Sequence, residues 1–234
     1  MRRVLTILVL FLLVRTISSA QCEEGLSWDF DEQGNQGFSI GKFLTETFTP
    51  KLILDTKKIR SYIRDPRFKE LTLRCGDLRA VDGIFLKALK IAEYNISRAL
   101  FLSLMGTLEH ENVEFKIPVL GVLPVPLTFE EDSLFNARKV NLPSNIYPDT
   151  PPEGDKDKLQ HFFASAYLAC VTESPEFAKE SGDLVEWGEA KFIVGGADDP
   201  RDKRANKHGD AFGRDLAVVK TLLPSDYLRH QYDK

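Results

Sequence analysis

Cysteine, tryptophan, methionine and long apolar runs are all scarce in this 234-residue chain, which has 3 Cys, 2 Trp and 2 Met. Three cysteines permit one disulfide and leave a thiol over, far from a scaffold held by many bridges. The N-terminal apolar run VLTILVLFLLV, residues 4–14, is about half the roughly 20 residues that a membrane-spanning helix requires. No block of basic residues stands out, and 31 Lys and Arg face 35 Asp and Glu for a net charge of −4. That balance lacks the positive footprint of a nucleic-acid binder. Internal repeats and low-complexity tracts are missing, which excludes solenoids and arrays. The metalloprotease spacing H-E-x-x-H is missing too.

What is present begins with an export pattern. Arg2 and Arg3 precede the apolar run, and Ser18-Ser19-Ala20 suits cleavage before Gln21. Removing residues 1–20 takes away Arg2, Arg3 and Arg15, leaving 28 basic against 35 acidic residues, a net −7. The expected product is a mildly acidic protein of the periplasm, cell envelope or exterior. Its 43% hydrophobic content is enough for a core and unlike that of a disordered chain. Cys22 follows the cleavage point, but Ser19 and Gln21 replace the Leu-like and small residues that usually precede a lipidated cysteine. The pairing expected is Cys75 with Cys170.

Residues 21–36 are polar and glycine-containing and read as a loose leader, with a single globular domain over 37–234. The runs FSIGKF, KLILD and LTLRC suit either strands or short helices. From Val81 to Leu108 apolar positions recur at helical spacing, predicting a long helix with breaks near Asn95 or Gly106. The segment VEFKIPVLGVLPVPLTF, residues 113–129, alternates and is then interrupted by prolines, as an edge hairpin or extended segment would be. Pro143, Pro148, Pro151 and Pro152 mark a boundary or tight connection at about 143–154. Three helices are expected after it, at 157–172, about 175–193 and 201–222, with Pro200 opening the last. The expected fold class is α+β and predominantly helical. Its C-terminal helices surround an inward polar cluster, and the N-terminal half supplies a small β element.

The cluster follows from helical periodicity. In RDKRANKHGDAFGRDL, residues 201–216, a helix places Lys203, Arg204, Lys207, His208, Asp210 and Arg214 on a broad polar side. Asp202, Ala205, Asn206, Gly209, Phe212, Gly213 and Leu216 share the narrower face. Asn206 lies too far inside the helix to cap it, and an Asn is unfavourable there unless it bonds across a helix contact. Gly209 and Gly213 each cost about 1 kcal/mol of helix propensity, so a close backbone approach should be returning that energy. In DKLQHFFASAYLAC, residues 157–170, Asp157 and His161 project to one side of a helix apolar nearly all round. Asp157 with Gln160 also fits a capping box, and His161 also fits a core histidine bonded to a carbonyl. Glu186 and Glu189, three apart in GDLVEWGEAKF, fall roughly on one side of the intervening helix. Carboxylates with one imidazole can bind a divalent metal, share acid–base work, or form a satisfied network that fixes helix register.

Asp157-Lys158-x-x-His161-Phe162, an acidic residue, then Asp202-x-x-Ala205-Asn206-x-x-Gly209-x-x-x-Gly213 resembles the signature of VanZ-like proteins. The fuller DKLQHFFASAYLA is closer still to the YfiM-like predicted lipoproteins of bacterial envelopes. The likeness spans about residues 155–217. It implies a role for Asp157, His161, Asp202, Asn206 and Gly209, with Glu186 or Glu189 as the acidic member. VanZ-like proteins are small multi-helix membrane proteins, whereas these helices carry many outward charges and look like a soluble, exported version. Two functions follow. One is an exported envelope protein, peripherally associated with envelope or membrane, whose cluster is structural or ligand-binding. The other is a hydrolase of a lipid-linked or phosphate-containing envelope substrate, with Asp157, His161, Glu186, Glu189 and Asp202 as candidate catalytic residues. In that reading Asp157, His161, Glu186 and Asp202 can also hold a divalent metal.

Overall fold

The computed structural model describes residues 51–109, 112–117, 121–126, 130–173 and 200–229, the two short middle spans as backbone alone. The expected signal segment, the leader, FSIGKF and the helix at about 175–193 lie outside these residues.

KLILD and LTLRC are both helical, in α1 (Lys51–Arg64) and α2 (Pro66–Cys75). Asp65 separates them: its carboxylate accepts the Arg67 amide at 2.8 Å and Pro66 takes the first helical position. Gly76, at φ 84°, ends α2 and gives its N–H to the Thr72 carbonyl. The long helix expected from Val81 to Leu108 is two helices, α3 (Asp77–Ile91) and α4 (Ile96–Thr107). The end of α3 is closed by Glu93 N–H on Lys90 O and Tyr94 N–H on Leu89 O, the paired bonds of a Schellman motif. Asn95 then caps α4, its Oδ1 accepting from the Arg98 amide and the Ser97 hydroxyl, each at 2.9 Å. Gly106 breaks nothing. It lies inside α4, where the side chains of Ile59 and Ile63 come within 3.2 Å of the position a Cβ would take.

Four helices follow: α5 (Asp132–Asn141), α6 (Lys156–Glu173), α7 (Pro200–Val218) and α8 (Pro224–Leu228). Pro200 opens α7 as its sequence suggests, but the helix stops at Val218, not at residue 222. Pro224 starts α8, and the Ser225 amide there donates to Asp82 Oδ1 at 2.9 Å. A buried side chain from α3 thereby anchors the last helix.

The expected α+β class is corrected to all-helical. The packed body is 77% helix, and no strand belongs to it. One hydrophobic cluster, from Ile59 in α1 to Leu228 in α8, is assembled from helices and the loop before α6. The antiparallel backbone pairing of Asn112–Ile117 with Gly121–Pro126 is a ribbon of two strands only. Two strands cannot form a core layer on their own. At the centre of the cluster, Phe85 of α3 packs edge-on to Phe212 of α7 with ring centres 5.5 Å apart. Phe212 stacks on Phe162 of α6 at 5.5 Å, and Phe162 meets Phe163 edge-on at 5.2 Å. Such geometries favour the ring quadrupoles as well as apolar burial. α6 is therefore a buried helix, enclosed by α4 and α7.

Candidate functional site

The two C-terminal helices run parallel. Asp202 faces Lys158 and His161, Asn206 faces Ser165, Gly209 faces Phe162 and Gly213 faces Ala166. Glycine sets their separation. A Cβ on Gly209 would stand 2.1 Å from the Phe162 carbonyl oxygen, and one on Gly213 would stand 2.1 Å from that of Ala166. Any other residue at either position pushes backbone against backbone. Between them the Ser165 hydroxyl donates to Asn206 Oδ1 at 3.0 Å, giving the mid-helix Asn its partner across the contact.

Parallel packing brings two helix N-termini to one end, where their partial positive charges repel unless anions lie nearby. Asp155, Asp157 and Asp202 stand there. Asp155 is fully buried; it accepts from the Thr150 hydroxyl and pairs with Arg201 of α7. Lys158 joins the other two, its Nζ 2.6 Å from Asp157 Oδ2 and 2.6 Å from Asp202 Oδ1. The first contact is an aligned hydrogen bond; the second is an ion pair without that alignment. His161 Nε2 lies 3.5 Å from the same Asp202 oxygen, while its buried Nδ1 has no hydrogen-bond partner. The structure thus brings Asp157, His161 and Asp202 to one spot, with the Lys158 ammonium as the cation between the carboxylates.

Asp157 is not a cap. α6 starts at Lys156, and Asp155 precedes the helix, its carbonyl accepting the Lys158 amide at 3.0 Å. Gln160, the other half of the expected capping box, reaches the Glu109 amide instead, at 3.4 Å. Asp202 likewise lies in the first turn of α7, after Pro200. Glu186 and Glu189 fall outside the described residues, as does Cys22. The Cys75–Cys170 pairing is corrected: Cys170 is a free, buried thiol and Cys75 is disulfide-bonded to a residue outside the described ones. By count, the other cysteine in the sequence is Cys22. Burial among α6 neighbours pushes the Cys170 thiol up to about 11, which suppresses its thiolate.

Three features escaped sequence reasoning. His208, assigned to the polar side of α7, is 2% exposed and faces the loop before α6, with Tyr147 Oη 3.4 Å from its Nδ1. The helical periodicity could not anticipate that loop. Lys158 was legible only within the family pattern. The third feature is a buried charge cluster away from the α6–α7 pair. Arg138 is completely buried, donating to Glu130 Oε2 at 2.9 Å and to the carbonyls of Gly106 and Leu108 at 2.9 and 2.7 Å. Arg60 donates to the Met105 carbonyl at 3.1 Å, and Arg64 pairs with Glu130. These guanidiniums satisfy the orphan carbonyls and negative pole at the end of α4. Burial, then the charge of Arg138, lowers the Arg60 guanidinium to about 10. The sequence also holds Gly37-Phe38-Ser39-Ile40-Gly41, which fits the G-x-S-x-G spacing of a nucleophile elbow. It lies outside the described residues.

No family model, curated protein or solved structure matches this chain. Among the described residues no three His, Cys, Asp or Glu side chains are grouped to hold a metal ion. Nor is any described helix long and apolar enough to cross a membrane.

Proposed function

We propose that this is an exported protein of the bacterial cell envelope in which the Asp157–Lys158–Asp202–His161 cluster locks two parallel helices in register and does no chemistry of its own. One observation carries the reading: the Lys158 ammonium lies 2.6 Å from each of two carboxylates. The single ammonium offsets part of the two negative charges, and the position between the carboxylates is filled by a side chain. Export is supported by Arg2, Arg3 and the apolar run before Ser18-Ser19-Ala20. The disulfide at Cys75 adds support, since such bonds persist in oxidising compartments. The VanZ-like and YfiM-like pattern across about residues 155–217 supports the envelope assignment and peripheral association with its membrane. The test is metal analysis of the purified mature protein with thermal melting in the presence and absence of a chelator. The reading expects no stoichiometric divalent ion and superimposable melts. A stoichiometric ion lost in both Asp157→Asn and His161→Ala would overturn it.

A second reading has its own observation. The His161 ring, with Nε2 toward Asp202 and Nδ1 unpartnered, has the composition of an acid–base pair. It would make the protein a hydrolase of a lipid-linked or phosphate-containing envelope substrate. Screening such esters with wild type and His161→Gln decides between the two. Hydrolysis abolished by the substitution, in a variant with an unchanged melt, establishes the enzyme.

A further inference from the structure

The loop between α5 and α6, residues 143–155, rests on α7 through Tyr147. That ring is 3% exposed and meets two side chains of α7, Arg204 and His208, which lie four residues apart and share a face. The Arg204 guanidinium stands 4.2 Å from the ring centre in a cation–π contact and pairs with Asp149 at 2.6 Å. His208, 2% exposed, meets the same ring edge-on with centres 5.7 Å apart, its Nδ1 3.4 Å from Tyr147 Oη. Further bonds tie the loop down. Asp77 Oδ2 accepts the amides of Ser144 and Asn145 at 3.3 and 2.5 Å, and Thr150 Oγ1 accepts the Tyr147 amide at 3.1 Å.

A proton on His208 acts against this arrangement. Burial penalises the charged ring, and Arg204, one turn back on the same face, is a like charge. Lys207 beside it on α7 and Arg229 after α8 are cations too, both exposed. The carboxylates on the surrounding elements have partners of their own. In the loop, Asp149 has Arg204 and Asp155 has Arg201. On α3, Asp77 holds two amides, and Asp82 holds Arg79 and the Ser225 amide. Asp157 and Asp202 share Lys158 at the start of α6 and α7, and Asp226 of α8 accepts the Leu223 amide. The ring therefore takes up a proton less readily in the closed loop than in the opened one. Closure is most stable above about 6.5, the ordinary histidine value, and weakens as pH falls below it. We propose that His208 is an acid-sensitive latch: neutral, it lets the loop close on α7, and protonated, it releases Tyr147 and the loop with it. Because the loop ends at Asp155, whose carboxylate pairs with Arg201 in the first turn of α7, release also uncovers the charged end of the parallel helices. The latch rests on the geometry of the loop and does not depend on the role proposed for Lys158.

Amide hydrogen exchange of the full mature chain tests this from about pH 7.5 to about 5.5, expressed as protection relative to the unfolded chain. Protection of Ser144, Asn145 and Tyr147 should fall about tenfold over that interval in wild type, the effect of one proton taken up with ordinary affinity only in the open loop. Amides in the middle of α4 should keep theirs. His208→Gln, which leaves a polar side chain beside Tyr147 but gains no charge, should hold the loop's protection within about twofold over the same range. Wild type also answers without a variant, since the His208 ring protons should titrate with a midpoint below about 6.5. Four results would overturn the latch: constant protection of the three amides in wild type, a fall shared equally by α4, an equal fall in His208→Gln, or a His208 midpoint at or above about 6.5.

Discussion

Replacing Gly209 by Ala isolates the feature on which the geometry of the C-terminal pair depends. On an exposed helix the substitution would stabilise by about 1 kcal/mol through propensity. Here the new methyl would stand 2.1 Å from the Phe162 carbonyl oxygen, 2.9 Å from its carbon and 3.0 Å from its Cα. All three are backbone atoms inside a buried helix, so no rotamer change relieves the clash. The helices must part by about 0.9 Å to restore even a tight 3.0 Å contact to the oxygen. A gap on that scale forfeits roughly a quarter to a half of each dispersion contact along the seam. It also loosens the stack of Phe162 on Phe212 and the ion pair of Lys158 with Asp202. Overpacking of this severity belongs at the upper end of its usual range, about 3 kcal/mol. Subtracting the propensity gain leaves a net loss of about 2 kcal/mol, or about 4–8 °C in Tm for a domain of this size. Gly213→Ala should behave alike, its clash with Ala166 being equivalent. Because one separation relieves both clashes, the double variant should cost clearly less than the sum of the singles. Urea unfolding followed by circular dichroism measures all three. A Gly209→Ala protein as stable as wild type would refute the close-packing account.

Arg138→Met should destabilise by about 3–5 kcal/mol, because it takes the hydrogen-bond partner from the buried Glu130 Oε2, leaving that carboxylate only Arg64 and Arg60, and removes the donor from two carbonyls at the end of α4; urea unfolding checks this, and a loss under about 0.5 kcal/mol would contradict it. Burial, opposed by the Ser225 amide and Arg79, raises the Asp82 carboxyl above its ordinary 3.8. The folded state therefore holds that proton more tightly than the unfolded chain, and the group's contribution to stability falls as pH rises from 3.8 through the raised value. Asp82→Asn, which keeps an oxygen for Ser225, should gain on wild type in urea midpoint across that rise, whereas a constant difference at every pH would rule the shift out. Thiol titration without reductant should find no reactive cysteine in the native protein and one, Cys170, after unfolding. Peptide mapping should link the Cys75 peptide to Cys22; a free Cys75 would contradict the assignment.

The α6–α7 contact was legible because its signals are local and periodic. Two glycines four apart, with Asn206 and Asp202 on the same face, specify a close helix contact whatever the partner. The break at Asn95, one of the two expected in the long helix, and the opening at Pro200 were legible from local signals too. The N-terminal half was not. LTLRC alternates like a strand, yet in α2 Leu71 is buried while Leu73 is 78% exposed, so the alternation reflects no burial pattern. Tertiary packing chose helix there. His208 was misassigned because its partner, Tyr147, is brought by a loop 61 residues away. Arg138 shows the same limit more sharply: a lone arginine reads as surface until the end of another helix needs its donors. Cysteine pairing had three solutions, and spacing could not choose among them.

The claim at the centre of this account is that Lys158 clamps α6 to α7 through Asp202, and a double-mutant cycle with Lys158→Met and Asp202→Asn measures that directly. If the clamp is real, the two substitutions will be strongly non-additive, with a coupling of about 1–3 kcal/mol, the upper part of the range for residues in contact. Additivity within about 0.3–0.5 kcal/mol, the behaviour of independent sites, would contradict it.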